Sequence, residues 1–412
     1  MCNLISAISI YLLAACSSFA ADRVTITGNV VDASGQPVDH ATVLVWHAGV
    51  KRGNSTYCPR GYVDCGKRTM TANGAYTIKG LDPDLKFELL IVREGYIPAF
   101  VGYFDPSAGP APVTKLKPRA AITDPTRVVR GRVVNPAGRP VADAVVQPQG
   151  VRFNGPQGEV SAYGTIDGLE PIAVTNAAGE FELAFDRAAL GMVVQVEARG
   201  MAPGIFNTFS TGLDRRTVTV TDGSVIRGRI VRDGKPMGGA EVGLIARQHG
   251  WDAKLKLVGF PYSEIRVGTQ PDGTFTITNV PPGVEWYIYG RMGSIPNGDA
   301  VPILECATKG DGDEVNIGDL PVGPGRRLRG RVILADGKPV AKGMRVTIGS
   351  DRAFDSQTAL LGPDGKFEFT GLRDDGYSVF TSVRGYEQGQ EALTVNRDID
   401  DFTITLAAKQ RP

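Results

Sequence analysis

Val129-Arg130-Gly131-Arg132-Val133-Val134, then Ala137-Gly138-Arg139-Pro140, then Ala178-Gly179-Glu180-Phe181: this succession decides the fold, because the chain repeats it. The same opening is written as Ile26-Thr27-Gly28-Asn29-Val30-Val31, Ile226-Arg227-Gly228-Arg229-Ile230-Val231 and Leu328-Arg329-Gly330-Arg331-Val332-Ile333. Each opening leads into a turn: Ser34-Gly35-Gln36-Pro37, Asp233-Gly234-Lys235-Pro236 and Asp336-Gly337-Lys338-Pro339 match the one above. Glycine there supplies a positive φ, and proline keeps the turn out of the ladder. A second turn follows in every copy, at Asn73-Gly74-Ala75-Tyr76, Asp272-Gly273-Thr274-Phe275 and Asp364-Gly365-Lys366-Phe367. Asn-Gly and Asp-Gly are strong hairpin formers.

Working outward, the segments between the turns alternate with a period of two. Ala41, Val43 and Val45 interleave with Thr42, Leu44 and Trp46, and Ala240, Val242 and Leu244 recur in the third copy. That period belongs to strands with one face inward. The ring after each second turn (Tyr76, Phe181, Phe275, Phe367) opens a further alternating strand and is expected in a core. Later strands read Phe87 to Val92 and Tyr377 to Val383, ending at Gly95-Tyr96 and Gly385-Tyr386, and the last is Val218-Thr219-Val220 or Phe402 to Leu406. About seven short strands per copy make a two-sheet sandwich.

Composition agrees. At 412 residues the chain exceeds one ordinary core, and its 52 glycines and 27 prolines exclude long helices. A formal net charge of +1 provides no field to gather nucleic acid or an anionic membrane. The expected architecture is all-β: a signal peptide over 1–21, then four tandem Ig-like or transthyretin-like β-sandwich domains at 22–118, 125–222, 223–324 and 325–409. Short proline-bounded linkers such as 118–125 imply a semi-rigid string.

The opening Gly-x-Val, the Gly-x-Pro turn before Ala-x-Val, the Asp-Gly-x-Phe hairpin and the Gly-Tyr ending together resemble the carboxypeptidase regulatory-like domain family. Its relatives are the transthyretin-like and carbohydrate-binding-like sandwich folds. The resemblance covers nearly everything after the leader. It implies an accessory sandwich and no activity of its own, because catalysis in the carboxypeptidases belongs to a separate zinc domain with no room in this chain.

Leu4 to Ala15 is apolar, too short to span a bilayer, and followed by small residues, as in a secretory leader. Two processing routes stand open. Ser18-Phe19-Ala20 offers cleavage before Ala21, whereas Leu13-Ala14-Ala15-Cys16 resembles a bacterial lipobox that would place a lipid on Cys16. The leader carries no Lys or Arg ahead of its apolar part, a departure from the usual pattern. In an oxidising compartment Cys58 and Cys65 most simply close the loop between them as a disulfide. Zinc is the alternative, but His40 and His47 stand at no metal-ligand spacing. Cys306 is left as an odd, buried thiol.

Chemistry-bearing motifs are missing: there is no His-Glu-x-x-His, no Gly-x-Ser-x-Gly and no phosphate-binding glycine loop. No catalytic residues, metal ligands or cofactors are therefore expected. Asp311-Gly312-Asp313 reads as a solvated turn rather than a calcium loop, and His249 as a loop residue. What remains are long loops at 47–68, 147–173 and 247–266, which carry Tyr57, Tyr62, Phe153, Tyr163, Trp251, Phe260 and Tyr262. Long loops with rings are candidate binding loops, and Trp46 alternates away from the presumed core. Trp46, Tyr57, Tyr62, Trp251 and Tyr262 are accordingly the candidate ligand-binding residues, for carbohydrate. The Arg-Gly-Arg triplets either bind acidic groups or keep a sheet edge soluble, and the second account is favoured. The functional expectation is an exported, non-enzymatic binding or scaffold protein of a bacterial envelope, periplasmic, outer-membrane-anchored or secreted. Its partners would be carbohydrate or envelope protein, with no nucleic acid and with membrane contact only through a lipid on Cys16. The alternative is a structural or assembly module with protein partners only.

Overall fold

The computed structural model describes residues 23–51, 64–164, 166–247, 264–341, 343–362 and 364–409. The chain divides into two compact units between Pro118 and Arg119. Among the described residues strands dominate, and the helical turns are three 3₁₀ turns: Pro106–Ala108, Pro125–Arg127 and Met292–Ser294. No helix among them is long and apolar enough to cross a membrane.

The first unit packs two sheets on one core. In the smaller sheet the opening strand Val24–Val31 lies between Ala75–Leu81, antiparallel, and Thr114–Lys115, parallel. The larger runs Arg68–Met70, Thr42–Val50, Leu85–Val92, Ala99–Phe104. Ile26, Val43, Val45, Ile78, Phe87 and Leu89 meet between them.

The second unit repeats the arrangement around three further cores. Openings Val128–Val134, Ser224–Arg232 and Arg326–Leu334 each pair antiparallel with the strand after the second turn. Each also pairs parallel with its last strand, Arg215–Thr219, Glu314–Pro324 or Ile399–Leu406. The partner sheets centre on Val145–Gly155 with Gly191–Glu197, Glu241–Ala246 with Glu285–Gly290, and Arg345–Ser350 with Asp375–Thr381. Every opening strand is thus central in its sheet, and its register sets that layer.

That register is pinned by a glycine beneath a ring. Gly28 pairs with Tyr76, Gly131 with Phe181, Gly228 with Phe275 and Gly330 with Phe367. A Cβ on these glycines would lie 2.3–2.6 Å from ring atoms, inside van der Waals contact, so only glycine lets the ring close over the strand. The rings are buried, as expected. The second-turn glycines are constrained twice: Gly74, Gly179, Gly273 and Gly365 have φ of +72° to +76°, and each carbonyl accepts the N–H of Val30, Val133, Ile230 or Val332.

A threonine closes three of the copies. Thr71 Oγ1 donates to the Val38 carbonyl at 2.6 Å and accepts the Ala41 N–H at 2.9 Å. Thr175 does the same with Val141 and Ala144, and Thr269 with Met237 and Ala240. The fourth copy has Leu361 at this place, with only a backbone bond from Leu361 N–H to the Met344 carbonyl.

One expectation is corrected. Residues 147–173 do not form one long loop: Gly158–Tyr163 pairs along Val145–Gly155, and Ala173–Val174 pairs with the start of the same strand. Gly155-Pro156-Gln157-Gly158 supplies the reversal, with Gly158 at φ +116°. Its glycine and proline had masked an extended hairpin.

Two stability predictions follow from the ring-on-glycine contact. Gly330→Ala, whose Cβ would also strike the Phe402 carbonyl at 2.6 Å, should destabilise the fourth core by roughly 1–3 kcal/mol in urea titration. The Tyr76 hydroxyl is buried with no hydrogen-bond partner among the described residues, and burial pushes its pKa up to about 12. Tyr76→Phe should therefore raise stability, by about 1 kcal/mol, rather than lower it.

Candidate functional site

The ring residues singled out from sequence fall into two groups. Tyr57, Tyr62 and Cys58, like Trp251, Phe260, Tyr262 and His249, lie outside the described residues, as does Cys16. Trp46 is described. It sits at a register shift between Val45 and His47, so Val45 and Ala48 both reach the core while Trp46 stays on the opposite sheet face, as alternation implied. It is nevertheless only 8% exposed, packed edge-on to Phe100 with centroids 6.0 Å apart and against His47 at 5.6 Å. Phe100 itself is 50% exposed. Of the second-copy rings, Phe153 packs on the core and Tyr163 lies across Gly150.

Cys65 is half-buried against the first core, and its pairing with Cys58 lies outside the described residues. Cys306 stands opposite Trp286 in the sheet, and burial pushes its thiol up to about 11. It is a packed group, poorly placed for thiolate chemistry. Asp313 accepts the Lys309 N–H at 3.0 Å and closes the turn on its own backbone, while Asp311 accepts the Gly223 N–H at 2.7 Å and ties the turn to the residue before the third opening strand. Among the described residues no three His, Cys, Asp or Glu side chains gather as metal ligands.

Four of the six triplet arginines meet carboxylates across their own sheets, and Arg132 donates to the Ala178 carbonyl instead. Arg130 pairs with Glu182, Arg229 with Asp319 through two bonds of 2.9 Å, Arg227 with Glu314, and Arg329 with Glu368. Arg119 adds a clamp on Glu170 and Glu182. The pairing holds the exposed partners Asp319 and Asp374 below the usual carboxylate range, the latter through Arg326. Exposed pairs of this kind add little stability, but they offset four of the six charges in the stripe a polyanion would seek.

A further polar cluster is one the sequence reading does not anticipate. It lies where the third sandwich meets the fourth, and joins Glu264, Tyr289 and Arg291 of one to Asp355 and Arg373 of the other. Arg291 Nη1 donates to both Glu264 oxygens, at 2.9 and 3.1 Å, and to the Phe354 carbonyl at 3.3 Å. The Tyr289 hydroxyl donates to Glu264 and accepts the Phe354 N–H at 3.1 Å. Burial and the adjacent Glu264 carboxylate push its pKa well above the ordinary tyrosine value. Arg373 donates to Asp355 and, at 2.9 Å, to the Gly290 carbonyl, while the Met292 N–H reaches Asp355 at 2.9 Å. Arg373 and Asp355 are both buried.

Two cations lie over rings here: Arg373 over Tyr289 at 5.3 Å and Arg352 over Tyr287 at 5.7 Å. The side that receives them is the outer face of the third sandwich's four-stranded sheet, where Ile245, Tyr287 and Tyr289 pack on Ala353 and Phe354. Trp286-Tyr287-Ile288-Tyr289 thus has both faces covered, Trp286 and Ile288 in the core and the tyrosines under the neighbouring loop. A sequence signal existed. The third copy carries Gly290-Arg291-Met292 and lacks the Gly-Tyr ending of the first and fourth copies, and its strand is apolar on both faces.

No protein-family model matches this chain, and no curated protein does. Among solved structures it is similar to the shaft pilin SpaA of Lactobacillus rhamnosus GG, at 11% identity over 46% of this chain and 98% of that one, TM-score 0.20. The minor pilin GBS52 of Streptococcus agalactiae is 14% identical over 46% of this chain and 98% of its own, TM-score 0.24. The TIE protein of Bacillus anthracis is 9% identical over 94% of this chain and 74% of its own, TM-score 0.20. These likenesses are too distant to bear on fold or function, which rest on the geometry above.

Truncating one partner of the buried pair leaves the other charged and unpaired. Arg373→Met should cost roughly 3–5 kcal/mol in chemical denaturation, and Arg373→Met combined with Asp355→Leu should recover a large part of it.

Proposed function

We propose that the chain is a non-enzymatic structural module of the bacterial cell envelope, working through protein partners. The observation that supports this reading is where its charge and rings are used. Most arginines of the opening strands are answered by carboxylates of their own sheets, and a buried polar cluster links two sandwiches through hydrogen bonds. A catalyst gathers acid, base or metal groups toward an open pocket; here the polar groups are directed at neighbouring strands and neighbouring sandwiches, which suits a spacer or an assembly part.

In this reading residues 1–21 direct export, and the four repeats at 22–118, 125–222, 223–324 and 325–409 are carboxypeptidase regulatory-like sandwiches. A lipid on Cys16 would anchor the module to a membrane, and a Cys58–Cys65 disulfide would tighten its first loop. A second reading, carbohydrate binding, draws on the half-exposed Phe100 beside Trp46, with Tyr57, Tyr62, Trp251 and Tyr262 as further stacking rings.

A glycan array probed with the full mature chain separates the two. The structural reading expects no glycan-dependent signal, together with crosslinks to envelope proteins in intact cells. A glycan signal that disappears in Trp46→Ala or Trp251→Ala would replace it with the carbohydrate reading. Mass spectrometry of the mature N-terminus then decides anchoring, with a lipidated Cys16 expected for an anchored spacer and an unmodified Ala21 for a released one.

A further inference from the structure

We infer that the third and fourth sandwiches form one cooperative folding unit, in which neither is complete without a segment of the other. Met292 belongs to the third sandwich by sequence, yet its side chain is buried in the fourth core with Leu328, Phe369 and Tyr377. In return, Ala353 and Phe354 of the fourth cover Ile245, Tyr287 and Tyr289 of the third. Each partner fills an apolar site that its neighbour cannot close alone.

The exchange is locked at two further points. Between the covered rings and Met292 four hydrogen bonds cross the junction, from Arg291 to the Phe354 carbonyl, from the Phe354 N–H to the Tyr289 hydroxyl, from Arg373 to the Gly290 carbonyl and from the Met292 N–H to Asp355. Separating the sandwiches would break all four and uncover the Glu264–Arg291 and Asp355–Arg373 pairs, each of which lies within one sandwich. Beside it three glycines touch. The Gly325 N–H donates to the Gly298 carbonyl at 3.1 Å, and a Cβ on Gly325 would lie 2.5 Å from that oxygen and 2.6 Å from the Gly371 Cα. Arg232 of the third opening strand also grips Asp299 at 2.9 Å, fixing the loop that carries these contacts.

The junction between the second and third sandwiches is built otherwise. There the Asn279 amide of a half-buried side chain donates to the carbonyls of Gly200 and Asp222, both at 2.9 Å. The second core draws its buried apolar residues from 129–220 alone. Stacked domains unfold together when the interface contributes as much as the cores and separately when it does not. Coupling is thus strong at one junction and weak at the other.

Hydrogen exchange of the full chain, read by mass spectrometry across a urea series, tests this. Peptides from Glu241–Ala246 and Glu285–Gly290 should share one opening midpoint with those from Lys366–Leu372 and Asp375–Thr381. Ile277→Val in the third core, or Phe369→Leu in the fourth, should shift both sets by the same amount. Met292→Ala, which removes a group the third core does not use, should also lower both. Leu183→Ala should move the second core alone. Midpoints that respond only in the sandwich carrying the substitution would overturn the inference, as would a Leu183→Ala shift shared by all three.

Discussion

A ring closing over a glycine is the contact on which the architecture depends. In each copy it ties the opening strand to the strand after the second turn at one register, with Gly28 under Tyr76, Gly131 under Phe181, Gly228 under Phe275 and Gly330 under Phe367. A slip by one residue would put a side chain under the ring and turn Ile26 or Ile226 out of the core. The last strand then adds in parallel on the other edge of the same opening strand, so one local contact sets a whole layer. Repetition follows because the contact needs only a glycine in the opening strand and, after the second turn, an aromatic two residues beyond the turn glycine.

Charge serves the same architecture. On exposed sheet faces arginines meet carboxylates of adjacent strands, where water screens the attraction and the pairing acts mainly to match edges and discourage stray association. At the junction of the third and fourth sandwiches, the same residue types are buried, and desolvation makes each group dependent on its partner. The physical difference is solvent. Each pair lies within one sandwich, and the neighbouring sandwich both shields it from water and adds hydrogen bonds to it, from Arg291 to the Phe354 carbonyl and from Arg373 to the Gly290 carbonyl.

The fold class was legible because its determinants are near neighbours in sequence. Turn glycines, the following ring and the period of two lie within a few residues of one another, and the strands stand where those signals placed them. The hairpin Val145–Gly155 with Gly158–Tyr163 was misread as loop because glycine and proline mark reversals as readily as irregular chain. Trp46 shows the limit of alternation: it told which face the indole occupies, not that Phe100 and His47 would stand beside it and leave little of it open. The threonine closures at Thr71, Thr175 and Thr269 recur with the repeat but were unmarked, since a threonine in a strand is ordinary.

By itself, the sequence determined the elements: which segments are strands, where they reverse, and which rings point inward. Each of those rests on backbone freedom or side-chain alternation within a short window. Only the tertiary structure decided what the surfaces do. Glu264, Tyr289, Arg291, Asp355 and Arg373 are scattered along the chain and meet only after two sandwiches have formed and docked. Met292 likewise fills a core other than the one its neighbours in sequence build. Such contacts depend on the relative placement of finished sheets, and no local pattern of residues encodes that placement.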